Sequence, residues 1–241
     1  VLNNLNGASS ANSIFDALPE EEEVATLALA PTDANGVRVY NFALARVRYR
    51  DVIPASNVRL FFRMWPAQQT NASYDINTLY RTGVNGTGQK IPLLGVQGDE
   101  IMTIPFFASP RISTTKARMD TQTDAPNIRP TINPDTLGGE VDTFFGCWLD
   151  INQPGSKVFP SRLVGNPAAL PDGPFTGTAA LVSIQELVRS AHQCLIAEVS
   201  FDPDPIPASA DPSNSDKLAQ RNLTFVNVPN PGVLESRRVP Q

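Results

Sequence analysis

A chain of 241 residues can bury a substantial core, and 41% hydrophobic with 18% charged residues is the balance of an ordinary globular protein. Its 22 prolines and 15 glycines lie scattered without a period, which excludes collagen and a single long helix and predicts many short strands joined by turns. A net charge of -5 supplies no general attraction to phosphate backbones, so nucleic acid is not an expected partner. No apolar run approaches the roughly 20 residues of a membrane helix, so membrane insertion is not expected either.

Residues 1–23 are polar, rich in Asn and Ser, and close on Glu20 to Glu23, the composition of an arm. The first residue, Val1, follows no initiator Met or signal-peptide pattern, as expected of a processed or excised piece of something longer. The core is expected over residues 24–229. Val24 to Leu29 has strand character and runs into the turn signal Asp33-Ala34-Asn35-Gly36. Between Tyr40 and Tyr49, Ala45, Val47 and Tyr49 alternate with Arg46, Arg48 and Arg50, the period of a half-buried strand. The three arginines form a stripe on one face, read as solvated rather than as an anion site. After the Pro54-Ala55-Ser56 break, Val58, Leu60, Phe62 and Met64 alternate with Arg59 and Arg63, and this strand is expected to pair with the one before it.

From Ala67 to Val141 shorter apolar pieces, Ile91 to Leu94 and Met102 to Phe107, predict strands with long excursions. Ser109 to Gly139, with Pro110, Pro126, Pro130 and Pro134, reads as a surface loop. Phe145, Cys147, Leu149 and Ile151 alternate as a strand with Trp148 on its other face. Ile184, Leu187, Val188 and Ala191 share a helical face, and Ser183 with Glu186 makes a capping box. Leu195, Ala197, Val199 and Phe201 form a core strand ended by Asp202-Pro203-Asp204-Pro205. Ser215 to Gln220 predicts a helical turn before a last strand with Leu223, Phe225 and Val228 inward, and residues 230–241 read as a C-terminal arm or linker.

Arg46 to Arg50, the Pro54-Ala55-Ser56-Asn57 break and Val58 to Phe62 resemble the paired early strands of bacterial immunoglobulin-like adhesion modules of the CARDB type. His192 to Val199, Asp202 to Pro205 and Lys217 to Leu223 resemble the final two strands of large bacterial proteins that carry such sandwiches. The resemblance covers about a quarter of the chain and implies an extracellular, immunoglobulin-like β-sandwich; it says little about function.

Chemistry-bearing residues are few. Cys147 and Cys194 sit in apolar strand-like segments, where an inter-strand disulfide and two buried thiols both remain open. The single histidine, His192, lies two residues from Cys194, but a thiol in an apolar run is inert more often than reactive. Asp202, Asp204, Asp211 and Asp216 share one Pro- and Ser-rich loop and are candidate calcium ligands, weighed against plain solvated turns because the spacing lacks an EF-hand's glycine-containing loop. Asp99-Glu100, Asp120 and Asp124 occupy turn-like contexts without a glycosidase arrangement. Asn71, Asn85 and Asn222 match the N-glycosylation pattern, and Trp65 and Trp148 are weighed as a sugar platform against core packing.

No catalytic, cofactor or metal site is expected, and the chain is read as a non-enzyme. The expectation is an immunoglobulin-like β-sandwich with long insertions and one short helix, a secreted or cell-surface structural or adhesive component. Its arms and open sheet edges would join neighbouring copies or domains, as in donor-strand assembly. The alternative is a carbohydrate- or calcium-dependent ligand-binding module of a larger secreted protein.

Overall fold

The computed structural model describes residues 11–17, 24–66, 73–75, 79–84, 90–97, 100–107, 128–133, 139–149, 151–152, 159–160, 181–189, 193–202 and 204–226. Alternating apolar and polar residues form the long strands among them. They are β1 (Val24–Ala28), β2 (Asn41–Arg50), β3 (Ala55–Pro66), β4 (Leu79–Val84), β5 (Lys90–Gln97), β6 (Glu100–Phe107), β7 (Ile128–Ile132), β8 (Glu140–Leu149), β9 (Phe159–Pro160), β10 (Leu181–Val182), β11 (Gln193–Asp202) and β12 (Leu218–Val226). Two six-residue helices, α1 (Ala11–Asp16) and α2 (Ile184–Arg189), accompany them. The fold is all-β.

The main sheet runs β1-β12-β11-β3-β6-β5-β4. β3 is long enough to take two partners on one edge, β7 along Ala55 to Arg59 and β6 along Phe61 to Met64. Every pair in this sheet is antiparallel except β1 with β12. β2 and β8 form a separate ribbon in unbroken register from Asn41↔Leu149 to Arg50↔Glu140. Its inner face, Ala43, Ala45, Val47 and Tyr49 with Phe145, Cys147 and Leu149, joins Val58, Leu60, Phe62 and Met64 of β3 in one apolar cluster. Helix α2 adds Ile184, Leu187 and Val188 to that core. Its capping box forms: the Ser183 N–H donates to Glu186 Oε2 at 2.8 Å and the Glu186 N–H to Ser183 Oγ at 3.2 Å.

The expected β2–β3 pairing does not occur. Strands paired side by side share their inward face, whereas here the apolar faces of β2 and β3 meet across the core, so the two strands belong to opposite layers. β2 pairs instead with β8, whose Asp142 and Glu140 lie directly opposite Arg48 and Arg50. The proline-rich stretch expected to be surface loop contains β7, and its Ile132 is buried. Pro130 is tolerated there because it faces Asn57, whose φ of 52° marks a break in the ladder where no N–H is needed. Ser215 to Gln220 is no helical turn; β12 already begins at Leu218.

The end of β1 is held by side-chain amides. Asn41 bridges the N–H and C=O of Ala28 at 2.9 Å each, Gln185 donates to the Leu29 carbonyl at 2.7 Å, and Asn152 donates to the Ala30 and Val39 carbonyls at 3.0 and 2.7 Å. The turn beyond it uses Asp33, whose Oδ1 accepts the Asn35 and Val37 N–H groups at 2.8 Å each, while Gly36 takes a φ of 77°.

On the outer face of the ribbon the Phe42 ring lies over Gly146. A Cβ at Gly146 would stand 2.5 Å from two ring carbons and 3.0 Å from the Ala43 carbonyl oxygen. Gly146→Ala is therefore expected to lower stability by about 1–3 kcal/mol in chemical denaturation, although alanine at an open strand position gains stability over glycine. Placing the substitution in a Phe42→Leu background should reduce the loss.

Candidate functional site

The second face of the main sheet is also covered. Arg63 of β3 and Glu198 of β11 alternate out of phase with the core residues of their strands, so both point away from the ribbon. Their register partners are Ile196 and Phe61, which makes the charged pair diagonal neighbours. The Arg63 guanidinium donates to Glu198 Oε1, and the residues are 2% and 4% exposed. Ile196, Ala210 and Leu218, with Tyr74 and Ile206, form a second apolar cluster on the same face of β11 and β12. Burial raises the Glu198 carboxyl above its ordinary value, with Arg63 pulling it down less strongly. Burial likewise raises the Tyr74 phenol, and the negative charge of Glu198 adds to that rise.

The cover is residues 204–217, built by their own polar groups. Asp211 accepts from the Ser213 N–H at 2.7 Å, the Ser213 hydroxyl at 2.5 Å and Asn214 Nδ2 at 2.9 Å. Lys217 Nζ ties the other end to the Asp204 and Pro205 carbonyls at 2.9 and 3.0 Å and to Asp204 Oδ1 at 2.6 Å. The Tyr74 N–H donates to the Ala210 carbonyl at 2.6 Å, and the Ser209 N–H to the Tyr74 carbonyl at 3.1 Å.

Between β2 and the main sheet opens a cleft of about 550 Å³. Val58, Leu60, Ile132 and Val199 line it, and Arg50, Asp51, Asp204, Asp216 and Lys217 carry its charge. Outside it, the arginine stripe of β2 is matched by carboxylates. Arg46 meets Asp16 of α1 at 2.7 Å, Arg48 holds Asp142 through two bonds of 2.9 and 3.0 Å, and Arg50 lies 4.0 Å from Glu140. Asp142 is also what raises the Arg48 guanidinium, through its hydrogen bond. At this exposure such pairs add little stability; what they set is which strand β2 accepts.

The four candidate calcium ligands are not gathered. Asp202 accepts from Asn57 Nδ2 at 2.8 Å, Asp204 holds Lys217, Asp211 caps its own turn, and Asp216 stands at the cleft. The hydrogen bonds from Ser213 hold the Asp211 carboxyl below its ordinary range. Among the described residues no group of three His, Cys, Asp or Glu side chains is arranged to hold a metal. Cys147 and Cys194 are free thiols in β8 and β11. Burial pushes the Cys147 thiol well up; it also raises Cys194, against a hydrogen bond from Gln220. Asn222 lies in β12, its Oδ1 accepting from Cys194 Sγ at 3.3 Å. Trp148 is not in the core: it sits half-buried on the outer face of the ribbon, edge-on to Phe42 at 4.8 Å and to Tyr40 at 5.4 Å. His192, Asp99, Asp120, Asp124, Asn71 and Asn85 lie outside the described residues, as does the side chain of Trp65.

The Arg63–Glu198 pair escaped the sequence reading. Its signal was present in the strands themselves, since Phe61 and Ile196 give each second face an apolar residue that a solvated face does not need. Comparison with known protein families, with characterised proteins and with solved structures finds no match.

Removing one partner of a buried ion pair strands the other charge, so Arg63→Met and Glu198→Leu are each expected to cost ~3–5 kcal/mol, with the double variant recovering most of the loss. Urea denaturation of the four proteins checks this. Because the folded Glu198 carboxyl sits above 4.5, its stabilising contribution is complete below that pH and is lost as pH rises through the folded value. Glu198→Gln should therefore show a flatter stability profile above pH 4.5 than the parent, and Arg63→Met a steeper one.

Proposed function

We propose that this chain is a non-catalytic structural module, an immunoglobulin-like β-sandwich that joins copies of itself into an extracellular or cell-surface assembly through sheet edges and its N-terminal arm. The β2–β8 ribbon carries this reading. Both strands are ten residues long, and among the described residues each is paired along one edge only. A long strand with an unpaired edge is a template for another strand.

Helix α1 adds to it. The helix touches the ribbon through Phe15 against Phe144 at 5.5 Å and Asp16 against Arg46 at 2.7 Å, with the Arg46 guanidinium 4.8 Å over the Phe15 ring. So small a set of contacts can be made with a neighbour's ribbon at low cost, which is the basis of segment exchange. Both thiols are buried and shifted toward the neutral form, so neither supports nucleophilic chemistry, and the carboxylates of residues 202–216 serve turns and ion pairs.

A carbohydrate-binding module is the second reading, favoured by one feature. Tyr40, Phe42 and Trp148 form an aromatic group on the outer face of the ribbon, with Tyr40 exposed.

Light scattering on the full chain and on a version lacking residues 1–23 tests the first reading. Multimers that fall to folded monomers on truncation are the expected result; equal mass for both removes the arm from the account. Titration with oligosaccharides followed by tryptophan fluorescence tests the second.

A further inference from the structure

The turn between β2 and β3 keeps two large apolar side chains in water. Val52 is 58% and Ile53 63% exposed. Three hydrogen bonds hold it in that shape: Asp51 Oδ1 accepts the Val52 and Ile53 N–H groups at 2.6 and 3.4 Å, and the Tyr49 hydroxyl donates to the Ile53 carbonyl at 2.5 Å. A rigid apolar projection loses little entropy on burial, which is what an interface anchor requires.

The 550 Å³ cleft opens beside this projection, since Tyr49, Arg50 and Asp51 before the turn and Ala55 after it all line it. An apolar projection adjacent to an apolar recess is self-complementary about a twofold axis, because each copy offers the projection the other receives. Charge at the cleft follows the same symmetry. Arg46 and Arg48 are committed to Asp16 and Asp142, and Lys217 to Asp204. That leaves Arg50 on the β2 wall, its side chain 71% exposed and no nearer than 4.0 Å to Glu140. On the opposite wall it leaves Asp216, exposed and without an ion pair among the described residues.

We propose that a second copy of this chain docks at the cleft about a twofold axis, Val52 and Ile53 of each copy seated in the recess of the other and Arg50 of each facing Asp216 of its partner. The inference rests on the assembly reading above and names the surface, and the residues, through which two copies recognise each other. It differs from edge pairing in depending on side chains rather than on an unpaired backbone.

The test uses the full chain at graded concentrations in light scattering, with circular dichroism to verify folding of each variant; every substituted position is solvent-exposed. Arg50→Glu and Asp216→Lys should each raise the dissociation constant by at least about tenfold through like-charge contact across the interface. The double variant R50E/D216K should restore association, and V52S/I53S should abolish it. A double variant as weak as the singles overturns the Arg50–Asp216 pairing. Association unchanged in every variant overturns the docking while leaving assembly through edges or arm intact. A wild-type chain that is monomeric at all concentrations overturns both.

Discussion

The pairing of Arg63 with Glu198 across β3 and β11 sets terms that much of the molecule has to meet. Two charges taken out of water cost several kcal/mol each before their attraction repays it, so the pair persists only if its surroundings stay dry and geometrically fixed. The second face of the main sheet is therefore covered along β11 and β12. Residues 204–217 lie over it, Tyr74 is bonded into them, and Asp211 and Lys217 hold the segment's two ends. The pair also fixes register. A slip of one residue between β3 and β11 would turn Arg63 or Glu198 into the apolar cluster that holds Phe62, Met64 and Ala197.

The other layer is specified by different means. Between β2 and β8, arginines opposite carboxylates select the partner at one end, and at the other end the absence of a side chain at Gly146 makes room for the Phe42 ring. Neither device stabilises much by itself; each penalises the wrong alignment. The connection from the main sheet to this ribbon is gripped by Asn41, Asn152 and Gln185, whose amides answer carbonyls that no strand would satisfy.

Local pattern made several elements legible. The alternation in β2, β3, β8 and β11 marks both the strands and their inward faces, and Ser183 with Glu186 marks the start of α2. Partnership was harder to read. Proximity in sequence suggests that β2 pairs with β3, and only the match of Arg48 and Arg50 with Asp142 and Glu140, far along the chain, points to β8. β7 was hidden by Pro130, because a proline argues against a strand unless its neighbour also leaves the ladder, as Asn57 does. The aspartates of residues 202–216 looked alike in sequence and differ in space, since each is claimed by a separate neighbour: Asn57, Lys217, Ser213 or the mouth of the cleft. Buried charge was least visible, because whether a second face is wet depends on a loop whose course no period records.

The parallel pairing of β1 with β12 carries a consequence for how the molecule is made. Val24 pairs with Asn222 and Ala28 with Val226, so the first strand of the sheet rests on the last. A ribosome releases β1 long before β12 exists, and a parallel neighbour cannot be supplied by a tight hairpin. β1 must wait, unpaired, until nearly the whole chain has emerged, and closure of this edge is a late event of high contact order. The acidic run Glu20 to Glu23 immediately before it gives the waiting strand a like-charged flank, a natural guard against its pairing with another nascent copy.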